Sequence, residues 1–163
     1  MPVFISYRHT DRPQAMSINK RLEDAGIKTY LDVLDLESQS TEDITAVITR
    51  NITECTHLLA VVSDRTAQSW WVPFEIGEAT ISNRRICSFK TSTSELPEYL
   101  DKWPKLTKAS DIDFFIEAYR NESALKRSFS LESVNGSESQ RAVNRSNADR
   151  FHTELKARIR RGY

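Results

Sequence analysis

After its first residue, the run His57-Leu58-Leu59-Ala60-Val61-Val62 is apolar throughout, and it stops abruptly at Ser63-Asp64. A strand with one wet face alternates polar and apolar residues, whereas a strand without alternation must be covered on both faces. Val3-Phe4-Ile5-Ser6-Tyr7 has nearly the same character. Ile27 to Leu31 and Ile86-Cys87-Ser88-Phe89 supply two more short strand candidates. Strands of this kind pack as a parallel sheet between layers of helices.

The intervening segments have helical spacing. Asp11 is placed to cap a helix that tolerates Pro13 in its first turn, carries Ala15, Ile18, Leu22 and Ala25 on one face, and stops at Gly26. Ser40 with Asp43 resembles a weak capping box before the apolar face Ile44, Val47 and Ile48. A third helix is expected over about 70–82. The resulting alternation of strand and helix predicts right-handed crossovers.

Past residue 90 the pattern weakens. Residues 96–106 hold two prolines and Trp103 and suggest loop and short turns, and Asp111 is placed to cap a helix through Phe114, Phe115, Ala118 and Leu125. Residues 128–147 are rich in Ser and Asn, a composition that favours loop. A last helix over 148–161 is expected from the stripe Phe151, Leu155 and Ile159. With no internal repeat, the expected organisation is one domain over 1–163.

Twenty-three basic residues balance 23 acidic ones, so no global field draws the chain to nucleic acid or to an anionic membrane. A local excess of arginine near the C-terminus is more simply explained by the packing stripe it accompanies. Cys55 and Cys87 each sit in or beside an apolar run and are expected as small buried hydrophobes, not as a disulfide. With His57 only two residues past Cys55 and no spaced set of three or four ligands, no metal is expected. No leader-like segment or apolar stretch of spanning length is evident, so a cytoplasmic location is expected. Neither GxGxxG nor GxxxxGK occurs, which leaves Rossmann cofactor binding and P-loop chemistry unsupported.

Within the third helix, Trp70, Phe74, Gly77 and Ile81 fall at i, i+4, i+7 and i+11 and are expected to face the core. Trp71, Glu75 and Glu78 form a second stripe about 100° round, starting at the helix N-terminus, where it can face the carboxyl ends of the strands. Glu75 has an ordinary alternative, a capping or solvated position on a helix face, and Glu78 is expected at the surface.

Three stretches resemble the Toll/interleukin-1 receptor (TIR) domain family: Val3 to Arg8 followed by Asp11; Ala25 to Asp32; and Ser63 with Ser69-Trp70-Trp71-Val72-Pro73-Phe74-Glu75. The resemblance covers residues 3 to about 90. It implies a flavodoxin-like α/β fold with a central parallel sheet of about five strands, flanked by helices on both faces. The resemblance implies self-association through TIR–TIR contacts, and some members of this family are non-catalytic modules that work by such homotypic assembly. Others cleave NAD at the nicotinamide–ribose bond, and in those the glutamate matching Glu75 is essential. A bacterial member resembling the Thoeris anti-phage signalling component is the expectation, with an ADP-ribose-derived product read by a downstream effector.

On this resemblance Glu75 is the catalytic candidate, and Tyr7, Arg8, Asp32, Ser69 and Trp71 are the substrate-binding candidates. NAD is then a consumed substrate, and no cofactor is needed. Tyr7 and Arg8 leave the first strand, Asp32 the second and Ser63 the third, so the architecture gathers them at one sheet edge. Arg8 has a planar fork suited to phosphate oxygens, or alternatively pairs with Asp11 or Asp32. Asp32 contacts a ribose or shapes its loop. His9 is expected at the surface.

Overall fold

The computed structural model describes residues 1–31, 44–93, 95–129 and 137–162. Five parallel strands form one sheet in the order β2-β1-β3-β4-β5: β1 at Val3–Ser6, β2 at Thr29–Leu31, β3 at His57–Val62, β4 at Arg85–Lys90 and β5 at Lys105–Leu106. The helices of the described residues are α1 (Arg12–Asp24), α2 (Ile44–Glu54), α3 (Trp71–Ile81), α4 (Asp111–Phe129) and α5 (Ser137–Arg161).

Val3 pairs with Thr29 on one side and His57 on the other. The chain therefore steps outward from β1 to β2, then returns past β1 to lay down β3. That reversal is a topological switch point, and the carboxyl ends of β1 and β3 flank the crevice where open parallel sheets bind ligands.

Period-two alternation divides the core between the two faces. Val3, Ile5, Tyr7, Leu59 and Val61 pack with α1, α4 and α5, while Phe4, Leu58, Ala60 and Val62 pack with α2 and α3. Full burial of a side chain such as Leu22, Leu58 or Phe115 stabilises the fold by about 1.5–3 kcal/mol each. In α1, Ala15, Ile18 and Leu22 are buried and Pro13 lies in the first turn. Gly26 closes the helix at φ +77, and the Ile27 N–H reaches back to the Leu22 carbonyl at 3.0 Å. Cys55 and Cys87 are both buried, and burial pushes the Cys55 thiol up to about 12. No described helix is long and apolar enough to cross a membrane.

Several expectations are corrected. Asp11 occupies the N-cap position of α1, but its carboxylate accepts the Ser63 hydroxyl at 2.9 Å instead of capping the helix. Asp111 likewise turns away from its helix, accepting the N–H groups of Thr107 at 2.8 Å and Lys108 at 3.0 Å, and Leu125 lies on an exposed side. The stretch 96–106 contributes strand β5 and buries Leu100 and Trp103. Residues 137–147 are helical, so the last helix begins well before Ala148. Once Ala148, Phe151 and Leu155 anchor α5, each added residue gains a hydrogen bond without a new nucleation cost, and weak formers such as Ser and Asn are carried along. The Ser40–Asp43 pair lies outside the described residues.

Candidate active site

β3 ends at Val62, and a 3-10 turn over Asp64–Gln68 carries the chain along the carboxyl edge of the sheet to α3. Ser63 caps that turn reciprocally: its hydroxyl accepts the Arg65 N–H at 3.3 Å, while Thr66 Oγ1 accepts the Ser63 N–H at 2.8 Å. At the start of α3 the Ser69 hydroxyl accepts the Val72 N–H at 3.4 Å. Ser69, expected to bind substrate, is thus engaged in holding the helix end that presents Glu75.

The buried face of α3 is Val72, Glu75, Ile76 and Ala79, at i, i+3, i+4 and i+7. This reverses the expected orientation: Trp70 is 90% exposed and Ile81 81% exposed. Trp70, Phe74 and Ile81 are the bulkier set, so pattern alone favours their arc. The sheet instead takes the smaller residues, which let α3 approach closely beside Ala60. Glu75 therefore lies on the core face itself and not on a stripe 100° away.

Glu75 is 0% exposed, and the Ser6 hydroxyl donates to its Oε2. Ser6 ends β1 on the parity of Phe4, the α3 side, and its register partner on β3 is Ala60, whose small side chain leaves room for a carboxylate. Burying an acid costs several kcal/mol unless hydrogen bonds compensate. Ser6 was not foreseen as a site residue. Its signal was a polar residue on the inward parity of an otherwise apolar strand.

Around this pair, Arg8 is half-buried and its Nη1 donates to the Arg65 carbonyl at 2.6 Å, tying the exit of β1 to that of β3. Trp71, one helical turn before Glu75, is 38% exposed and meets Phe74 edge-on at 6.1 Å. Tyr7 belongs to the core cluster on the α1 side, so alternation points it away from the face that holds Glu75. Asp32 lies outside the described residues. His9 is exposed, and Glu78 is partly so. A recess of about 210 Å³, lined by Val62, Ser63, Thr66, Pro73, Leu96, Pro97, Tyr99 and Leu100, adjoins the start of α3 at the same edge. Among the described residues no group of three or more His, Cys, Asp or Glu is placed to hold a metal.

A second polar cluster, unforeseen from sequence, sits at the opposite edge. His57 and Arg85 open β3 and β4 and are register partners, and Glu122 of α4 bridges them. His57 Nε2 lies 3.1 Å from Glu122 Oε2, and Arg85 Nη2 forms an ion pair with Oε1. Burial pushes the Glu122 carboxyl up, but the hydrogen bonds and charges of His57 and Arg85 outweigh it and bring the group down to about 2. The His57 ring packs against Phe115, Tyr119 and Phe151, and His152 Nε2 accepts the Ile86 N–H at 2.9 Å. An arginine and a histidine at the mouths of apolar strands need a buried partner, but sequence does not say which acid supplies it.

A five-stranded parallel sheet in the order 2-1-3-4-5, with helices on both faces and polar groups at its switch point, defines a flavodoxin-like α/β protein. The TIR domain family model matches residues 3–128, and the chain belongs to that family. The match extends well beyond residue 90 and takes in β5 and nearly all of α4. The TIR domain of the Toll-related receptor TRR-2 from Hydra magnipapillata superposes with a TM-score of 0.58 at 21% identity, covering 77% of this chain and 97% of that one. A 2-deoxyribosyltransferase from Bacillus psychrosaccharolyticus gives a TM-score of 0.52 at 14% identity, covering 69% and 90%. At these identities the likeness is one of fold. Comparison with curated protein sequences finds no match.

Proposed function

We propose that the protein cleaves NAD at the nicotinamide–ribose bond, with Glu75 as the acting carboxylate. The observation that carries this reading is a glutamate buried at the switch point and held there by the hydroxyl of Ser6. A ribose hydroxyl is chemically equivalent to that serine hydroxyl and can take its place on the carboxylate. Nicotinamide leaves as a neutral base from a pyridinium, so the reaction needs little general acid, unlike a sugar–oxygen bond with its two carboxylates. The task left is to stabilise the oxocarbenium-like charge that develops on the ribose, and a fixed carboxylate does this.

Glu75 is covered in this structure, so catalysis requires it to be uncovered as the ribose enters. Trp71 stands one turn away, where an aromatic face can exclude water from the reacting bond. Arg8, which donates to the Arg65 carbonyl at the same edge, is the candidate contact for the diphosphate. In this reading the protein acts on the cytoplasmic NAD pool, and its ADP-ribose-derived product signals to a separate effector in anti-phage defence of the Thoeris type. Incubating the purified chain with NAD over a range of protein concentrations, with a crowding agent, and reading nicotinamide and ADP-ribose products by mass spectrometry tests it. Absence of any product, also in cells challenged with phage, would sink the reading.

A non-catalytic assembly role is the second reading, favoured by the exposed aromatic and aliphatic face of α3. It predicts a function that survives Glu75→Gln.

A further inference from the structure

Asp11 stands in the place of a helix cap and does not cap. It occupies the N-cap of α1, where an aspartate usually accepts a backbone N–H of the first turn. Its carboxylate instead accepts the hydroxyl of Ser63, 52 residues away along the chain. Asp11 and Ser63 are each only 6% exposed. Burying an acid is costly, so one that forgoes its local donors for a distant hydroxyl points to a role across the fold.

The bond spans the switch point. On one side the turn His9–Asp11 leaves β1, and the Asp11 N–H donates to the Arg8 carbonyl at 2.7 Å. On the other side Ser63 opens the turn that leaves β3, and its hydroxyl accepts the Arg65 N–H at 3.3 Å. Arg8 Nη1 then reaches the Arg65 carbonyl at 2.6 Å. Residues 8–11 and 63–65 thus form a closed ring, tied twice between the two strand exits. The buried tie is Asp11 with Ser63, and the exposed tie holds the planar guanidinium of Arg8.

We infer that Asp11 is a positioning residue for a dinucleotide: through Ser63 it fixes the turn that carries the Arg65 carbonyl, and with it the place of Arg8 at the diphosphate. The inference rests on the NAD reading of this site and adds where the affinity for a diphosphate is set. An arginine already held in one orientation gives up less side-chain freedom when it takes a phosphate. Glu75 acts on the ribose, so the two acids separate in kinetics, Asp11 in KM and Glu75 in kcat.

Steady-state nicotinamide release by the wild type, Asp11→Ala, Arg8→Ala and the double variant tests this. Asp11→Ala should raise KM for NAD by about tenfold and leave kcat in place. Ser63→Ala breaks the same bond from its other end and should give the same shift, which keeps the test intact if Asp11→Ala folds poorly. Asp11→Asn retains an oxygen that accepts the Ser63 hydroxyl and should restore most of the KM. In an Arg8→Ala background Asp11→Ala should do nothing further, because its route runs through that arginine. Nicotinamide riboside, which has no diphosphate, should be cleaved alike by the wild type and Asp11→Ala. An unchanged KM in Asp11→Ala and Ser63→Ala, an equal loss on the riboside, or a further rise beyond Arg8→Ala overturns the positioning role and leaves the NAD reading standing. A wild-type chain that releases no nicotinamide overturns both.

Discussion

At the amino edge of the sheet Glu122 lies between Arg85 and His57; at the carboxyl edge Glu75 meets the hydroxyl of Ser6. Both acids reach down from a helix onto strand ends, and both are buried. The first is paired with the Arg85 guanidinium and the His57 ring, which belong to the sheet itself, and the arrangement binds α4 and α5 to β3 and β4. The second accepts the hydroxyl of Ser6, a neutral donor of the kind a ribose also carries. The fold thus places a cation-paired acid at one end and a hydroxyl-held carboxylate at the switch point.

The comparison is sharpened most by breaking the fastening. Glu122→Ala should cost about 3–5 kcal/mol in urea unfolding, because it leaves Arg85 buried without its acid. A loss below about 1 kcal/mol would mean that the cluster does not hold α4 down.

Acid should act at the same edge, on the order of 3 kcal/mol for each group. The Ile86 N–H needs a neutral His152, and burial, the main cause, holds this ring down to about 4 against an ordinary 6.5. As pH falls from 6.5 to 4 the unfolded chain takes up the proton first, so stability declines across that window. Glu122, at about 2 against 4.5, adds a second decline between 4.5 and 2. His152→Gln should flatten a stability–pH profile above pH 4 and leave the lower step in place.

A smaller effect is expected at the carboxyl edge. Ser6→Ala removes a donor to a buried carboxylate and should destabilise by about 1–3 kcal/mol, read from denaturant midpoints. If it is neutral, Glu75 does not depend on the serine, and the exchange of hydroxyls loses its basis.

The division between the ends was only partly legible in the sequence. Continuous apolar runs located β1 and β3 because a doubly covered strand has no polar parity to hide. β5 was missed because two residues, Lys105 and Leu106, carry no periodicity. Motif spacing singles out Glu75, yet helical spacing assigns the core face to Trp70, Phe74, Gly77 and Ile81, and Trp70 and Ile81 face outward. The Glu122 cluster joins residues 57, 85 and 122, which only the register of β3 with β4 brings together. Helical spacing says which residues share a face, but the choice of face belongs to the packing against the sheet.

The central claim is that one buried acid acts and the other fastens. It is tested most directly by comparing Glu75→Gln with Glu122→Gln in two readouts, NAD products by mass spectrometry and melting temperature. Glu75→Gln, which removes a charge without changing shape, should lower product formation by roughly 10²–10³ while stability holds or rises. Glu122→Gln should lower the melting temperature, and whatever remains folded should keep its turnover. If Glu75→Gln still forms product at the wild-type rate, or loses product only because it unfolds, the account is contradicted.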